Sequence, residues 1–96
     1  MWTDPAYFND AVADQARACC LVFQGEVQKR LNNGNVFESF APIFYQTQVV
    51  AGINYKIMVS VGGDGRVEME VFWGLGTAMP ELTSAEWLLE KQQTKK

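Results

Sequence analysis

A chain of 96 residues with 48% hydrophobic and 20% charged side chains has the composition of one small globular domain, and we expect a single domain over residues 1–96. Its formal net charge of −3 argues against nucleic-acid or anionic-membrane binding, since either partner favours clustered lysine and arginine. No apolar run approaches the length needed to span a bilayer, and no signal-peptide pattern opens the chain.

The first predicted element is a long N-terminal helix. The run Thr3-Asp4-Pro5 is typical of a helix start, because Thr or Asp caps free N–H groups and Pro is favoured in the first turn. Apolar residues then recur every three to four positions as far as Leu31. Residues 32–35 (Asn-Asn-Gly-Asn) end the helix. The pattern predicts one continuous helix from about Pro5 to Leu31, although a break near Gly25 is an alternative.

Cys19 and Cys20 lie within the apolar stripe of this helix. Neighbouring helical residues point about 100° apart, so these two cysteines do not bridge each other easily, and we interpret them as small buried hydrophobes. The chain has no histidine, which removes the commonest acid–base catalyst and the residues that would complete a metal site. We therefore predict a protein that is not an enzyme and that holds neither a metal nor a cofactor.

A β-sheet is predicted after the helix. Residues 40–48 are apolar on both faces, whereas residues 53–61 and 67–73 alternate apolar with polar side chains and flank a Gly62–Gly65 turn. A second long loop covers residues 74–80. Beyond it, Thr83 and Glu86 have the spacing of a helix capping box, while residues 83–89 also alternate as a strand would.

The segment Gln48-Val49-Val50-Ala51-Gly52 stands out because it predicts a hairpin with an apolar, uncharged tip. Exposed loops are normally built from polar turn residues. An apolar loop end in a soluble protein therefore suggests a binding partner.

This pentapeptide, followed by Asn54-Tyr55, resembles the first inhibitory hairpin of the cystatins, and most closely that of the stefins, the intracellular type 1 branch. Matches that keep order and spacing flank it, and the resemblance covers roughly Phe23 to Trp87. The flanking matches are the aromatics Phe37, Phe40 and Tyr45 and the turn at Val61-Gly62-Gly63-Asp64. In addition, Val71-Phe72 with Leu75 is similar to the approach to the second inhibitory loop.

The resemblance implies an α+β fold in which an antiparallel sheet of about four strands wraps round one long helix, and it favours a closing strand around Trp87 over a helix. It also implies a reversible, tight-binding inhibitor of papain-like cysteine proteases of the cathepsin type, acting in the cytoplasm. An apolar wedge would block the protease cleft. The residues assigned to protease binding are Gln48, Val49, Val50, Ala51 and Gly52 in the first loop, Trp73, Leu75 and Gly76 in the second, and Trp2 at the N-terminus.

Two departures from the family keep other interpretations open. Stefins carry a glycine in a flexible trunk before the helix, but here no glycine precedes Gly25 and only Trp2 and its neighbours remain. Gly76 stands where the family usually has proline, which predicts a more flexible second loop. The alternative is a cystatin-fold binding module without protease inhibition; an enzyme on a related fold is a third hypothesis. We expect a monomer, with a domain-swapped dimer through the Gln48–Gly52 loop as an alternative.

Overall fold

A computed structural model describes residues 1–7 and 13–89. Within these ranges, one helix packs against one antiparallel sheet in which neighbouring strands in sequence are neighbours in space, in the order β1-β2-β3-β4-β5. This arrangement confirms the predicted α+β fold, with a very short fifth strand added to the four that were expected. The elements are β1 (Ala6–Tyr7), α1 (Ala13–Leu31), β2 (Ala41–Val50), β3 (Gly52–Ser60), β4 (Arg66–Gly74) and β5 (Glu81–Leu89).

The core lies between α1 and the inner face of the sheet. The alternation predicted for β3 and β4 is confirmed, since Ile57 pairs with Met69 and Val59 with Val67, and all four side chains are fully buried. From α1 the stripe supplies buried residues to the same core: Ala16, Cys19, Cys20 and Val27. The helix runs unbroken through Gly25, so the alternative of a break there is wrong.

Both cysteines are buried free thiols. Burial raises the pKa of Cys19 to about 11 and that of Cys20 to about 12, so both thiols are protonated at neutral pH and pack as small hydrophobes. Among residues 1–7 and 13–89 no group of His, Cys, Asp and Glu side chains has the arrangement of a metal site. No helix in the described part of the chain is long and apolar enough to cross a membrane.

The prediction that the helix begins at about Pro5 is wrong, because Ala6 and Tyr7 form a strand that pairs with Tyr45 and Phe44 of β2. The helix-start signal is local, whereas the competing partners lie on β2, far along the sequence. The first two members of the predicted apolar stripe, Phe8 and Val12, lie outside the described residues.

The segment after the second loop is a strand, as the resemblance implied. Its inward side chain Trp87 stacks edge-on against Phe37, with ring centroids 5.8 Å apart, and its indole N–H donates to the carbonyl of Leu31 at 3.2 Å. The Thr83 hydroxyl donates to the carbonyl of Glu70 on β4 at 3.0 Å, at an irregularity in the strand register. Packing of Trp87 on the end of α1 therefore outweighs the capping-box signal.

Candidate functional site

The first loop is a tight connection between β2 and β3. Val50 pairs with Gly52, so Ala51 alone forms the tip, and one step back Val49 pairs with Ile53. At the base of the loop the side-chain amide of Asn54 donates to Oε1 of Gln48 at 2.9 Å, across the two strands. The loop is therefore an extension of a regular hairpin, as predicted.

Apolar side chains at this tip face solvent. Val49 is 80% exposed and Val50 45% exposed, and Ala51 is exposed between them and the next strand. The loop carries no charged residue. Exposed adjacent valines on a rigid hairpin form the kind of surface that a soluble protein covers by binding.

The second loop lies directly beside the first. Gly52 pairs with Gly74 and Ile53 with Trp73, and the N–H of Leu75 points to the carbonyl of Ala51 at 3.4 Å. Leu75 is 80% exposed. The structure thus brings the predicted residues of both loops together at one end of the sheet.

Close packing between the two loops depends on Gly52. Its φ is +134°, and a Cβ atom there would lie 2.4 Å from the carbonyl oxygen of Trp73 and 2.8 Å from the Cα of Gly74. Only glycine tolerates both the backbone conformation and this separation. The final residue of the pentapeptide therefore determines how near the second loop can approach.

Gly76 has a structural reason to differ from proline. Residues 74–77 form a turn closed by the Thr77 N–H, which donates to the carbonyl of Gly74 at 3.3 Å, and Gly76 adopts φ +73° at the third position. A type II turn requires positive φ there, whereas proline is fixed near −65°. The turn is further held by the Thr77 hydroxyl, which donates to the same Gly74 carbonyl at 2.9 Å.

Trp2 does not lie at the tip of the loops. Its ring is half-buried with the ammonium of Lys56 4.5 Å from the ring centroid, a cation–π contact on β3. Thr3 holds this segment against β2, because its N–H donates to the carbonyl of Thr47 and its hydroxyl accepts from the Thr47 N–H, both at 2.9 Å. The segment runs antiparallel to β2, so the fully exposed Met1 extends towards the Val49–Val50 end.

Beneath the second loop, a cavity of about 230 Å³ opens between Trp73, Ile53 and the start of α1. At its floor the Tyr55 hydroxyl donates to Oε1 of Gln15 at 2.5 Å. Burial, followed by the nearby Cys19 and Tyr45, raises the pKa of Tyr55, so its hydroxyl stays neutral. These groups suit packing and hydrogen bonding rather than proton transfer at neutral pH.

Sequence reasoning did not single out two residues that organise the site, Thr3 and Thr77. The turn signal Gly74-Leu75-Gly76-Thr77, with glycine at the third position, could have placed Thr77 at the closing position. The local pattern instead makes Thr3 or Asp4 a candidate helix cap, and only the long-range pairing of Thr3 with Thr47 shows its position.

Curated relatives of the chain are similar over part of its length. Cystatin-A1 of Sus scrofa is 40% identical over 52 residues, 54% of this chain and 48% of that protein. Leukocyte cysteine proteinase inhibitor 1 of Sus scrofa is 51% identical over 39 residues, 41% of this chain and 38% of that protein. Cystatin-A of Felis catus is 40% identical over 60 residues, 60% of this chain and 61% of that protein. The chain thus spans between 38% and 61% of the length of these relatives. No family model matches the chain.

Proposed function

We propose that this chain is a stefin-like member of the cystatin superfamily and a reversible inhibitor of papain-like cysteine proteases, which its partial similarity to the cystatins of Sus scrofa and Felis catus supports. The observation that carries the proposal is the pairing of Gly52 with Gly74, because it sets two exposed apolar loops side by side at one end of the sheet. We call the first loop (residues 48–52) together with the second loop (residues 73–76) the apolar wedge. Docking of this wedge would cover the active-site cleft of the protease.

Desolvation of the apolar wedge supplies the binding energy. Val49, Val50 and Leu75 are its most exposed large side chains. Full burial of one such side chain contributes about 1.5–3 kcal/mol, so three of them provide several kcal/mol towards association. Because no residue of either loop is charged, docking of the wedge desolvates no charged side chain of its own.

Hydrogen bonds within the wedge preorganise it for docking. The first loop is braced by the Gln48–Asn54 bond and the second by the Gly74–Thr77 turn. Little loop entropy is therefore lost when the wedge binds, which favours affinity. The fold presents both loops as backbone turns, and a closed turn has no extended segment to offer the protease as a cleavable peptide.

The N-terminal segment contributes differently from the trunk implied by the family resemblance. Thr3 holds it against β2, and the Trp2 ring packs against the Lys56 ammonium instead of projecting beyond the loops. In this proposal Met1 is the residue of that segment that reaches the rim of the protease cleft, and Trp2 anchors it from the outer face of the sheet. Inhibition therefore depends mainly on the two loops.

A titration of papain with a fluorogenic peptide substrate tests the proposal. Val49→Asp introduces a charge into the surface that becomes desolvated, and we expect it to raise the inhibition constant by about a hundredfold. Val36→Asp is the matched control, because Val36 is an equally exposed valine (77%) in the segment that joins α1 to β2 at the opposite end of the sheet. It should leave inhibition unchanged.

Two outcomes contradict the proposal. A wild-type chain that leaves papain fully active at micromolar concentration excludes inhibition and favours the binding module without protease affinity. Equal effects of Val49→Asp and Val36→Asp would show that the wedge is not the contact surface. Size-exclusion chromatography in the same buffer checks that the active species is the monomer.

A further inference from the structure

We propose that Thr77 is a positioning residue: it fixes the indole of Trp73 in the orientation in which the second loop docks. The role in docking rests on the proposed inhibition. The contact itself can be tested in the free protein.

Thr77 holds the second loop through three of its groups. Its carbonyl accepts the indole N–H of Trp73 at 3.2 Å, its hydroxyl donates to the carbonyl of Gly74 at 2.9 Å, and its N–H donates to the same carbonyl at 3.3 Å. The two bonds to Gly74 close the turn, and the turn places the Thr77 carbonyl where the indole reaches it. One residue therefore couples the shape of the loop to the orientation of the tryptophan ring.

The position of Trp73 makes this coupling important for binding. Trp73 pairs with Ile53 next to the contact between Gly52 and the second loop, its ring lines the cavity of about 230 Å³, and the side chain is only half-buried. A partner that covers the loop would enclose the indole. An enclosed N–H without an acceptor weakens binding, because its bond to water is lost.

The acceptor is already present within the loop. The Trp73 N–H already donates to the Thr77 carbonyl before docking, so the partner does not have to supply an acceptor. The ring also loses little rotational freedom on binding. Free rotation of the indole would instead place its apolar face and its N–H in variable positions. The Trp73–Thr77 pair therefore presents the indole to a partner in one fixed orientation.

Thr77→Val is the informative substitution, since it keeps the shape of the side chain and removes the hydroxyl that holds the Gly74 carbonyl. Thr77→Ser keeps the hydroxyl and serves as the conservative variant. Trp73→Phe removes the indole N–H and identifies the Trp73 signal by its loss. Trp87, whose indole donates to Leu31 at 3.2 Å, is an internal control in the same spectrum.

The first measurement is hydrogen exchange of the indole N–H groups in the free, ¹⁵N-labelled protein. We expect Thr77→Val to accelerate exchange at Trp73 by roughly tenfold, the factor expected when one hydrogen bond of the turn is lost, and to leave Trp87 unchanged. Thr77→Ser should exchange like the wild type. Unchanged exchange at Trp73 in Thr77→Val overturns the proposal, whatever happens to inhibition.

The second measurement is the inhibition constant for papain. We expect Thr77→Val to raise it roughly tenfold, Thr77→Ser to restore it, and Thr77→Val in a Trp73→Phe background to have a clearly smaller effect. Equal effects of Thr77→Val in the two backgrounds, or normal inhibition by Thr77→Val despite faster exchange, overturn the positioning role. A wild-type chain that does not inhibit papain overturns the proposed function and the docking role together, even if the exchange data show the contact.

Discussion

The side chains of Gln48 and Asn54 face each other across the first hairpin, joined by a 2.9 Å hydrogen bond from the Asn54 amide to the Gln48 carbonyl oxygen. Both residues are half-buried. Gln48 begins the apolar pentapeptide, yet its side chain is engaged in this contact across the strand pair. Its effect is to brace the two strands immediately below the exposed valines.

Removal of this brace should loosen the first loop. We expect Asn54→Ala to lower the free energy of unfolding by about 1 kcal/mol, measured by urea denaturation, because a half-buried amide oxygen loses its donor. Inhibition of papain should weaken with it, since a less ordered loop loses more entropy on docking. Asn35→Ala, at an exposed asparagine after α1, is the control and should change neither quantity. Equal stability losses in the two variants would contradict the bracing role.

Two glycines should respond in opposite ways to the same substitution. Gly52→Ala should destabilise the protein by about 2–4 kcal/mol, because Cβ would meet the carbonyl oxygen of Trp73 at 2.4 Å in a backbone with φ +134°. Gly25→Ala should stabilise it by about 1 kcal/mol, since that position is an exposed helix interior with open space around Cβ. Thermal and urea unfolding of both variants measure the difference. A Gly52→Ala variant as stable as the wild type would show that the two loops are not in contact.

The sequence patterns that succeeded are those decided by neighbours on one element. Alternation along β3 and β4 predicted the inward residues correctly, and the stripe from Ala16 to Leu31 predicted the helix face. The prediction for the N-terminal segment is wrong because its local helix signal competes with hydrogen bonds between Thr3 and Thr47, which lies 44 residues away. Local spacing of residues cannot reveal such a partner. The approach of Gly52 to Trp73 was hidden for the same reason, since it depends on the register between β3 and β4 at their shared end.

Thr3→Val tests how the N-terminal segment is held. The substitution removes the hydroxyl that accepts the Thr47 N–H but keeps the backbone bond from the Thr3 N–H to the Thr47 carbonyl, so we expect residues 1–3 to be held less firmly against β2 and the Trp2 ring to contact Lys56 less often. Nuclear Overhauser contacts between the Trp2 ring and the Lys56 side chain should weaken. Because Thr3 is exposed, the loss of stability should stay at or below about 1 kcal/mol. Thr83→Val removes a hydroxyl bond on β5, at the other edge of the sheet, and should leave these contacts intact.

The buried thiols predict a loss of stability in alkali. Burial raises the folded-state pKa of Cys19 to about 11 and that of Cys20 to about 12, both above the ordinary thiol value, so the folded protein holds its thiol protons more tightly than the unfolded chain does. In the interval from about pH 9 to 11 the unfolded state therefore binds fewer protons, and the free energy of unfolding falls as the pH rises.

Urea denaturation at a series of pH values measures this slope. Cys19→Ala combined with Cys20→Ala should flatten it, because the thiol contribution is then absent. A slope that persists unchanged in the double variant would assign the alkaline sensitivity to other groups, of which Tyr55, whose pKa burial also raises, is the first to examine.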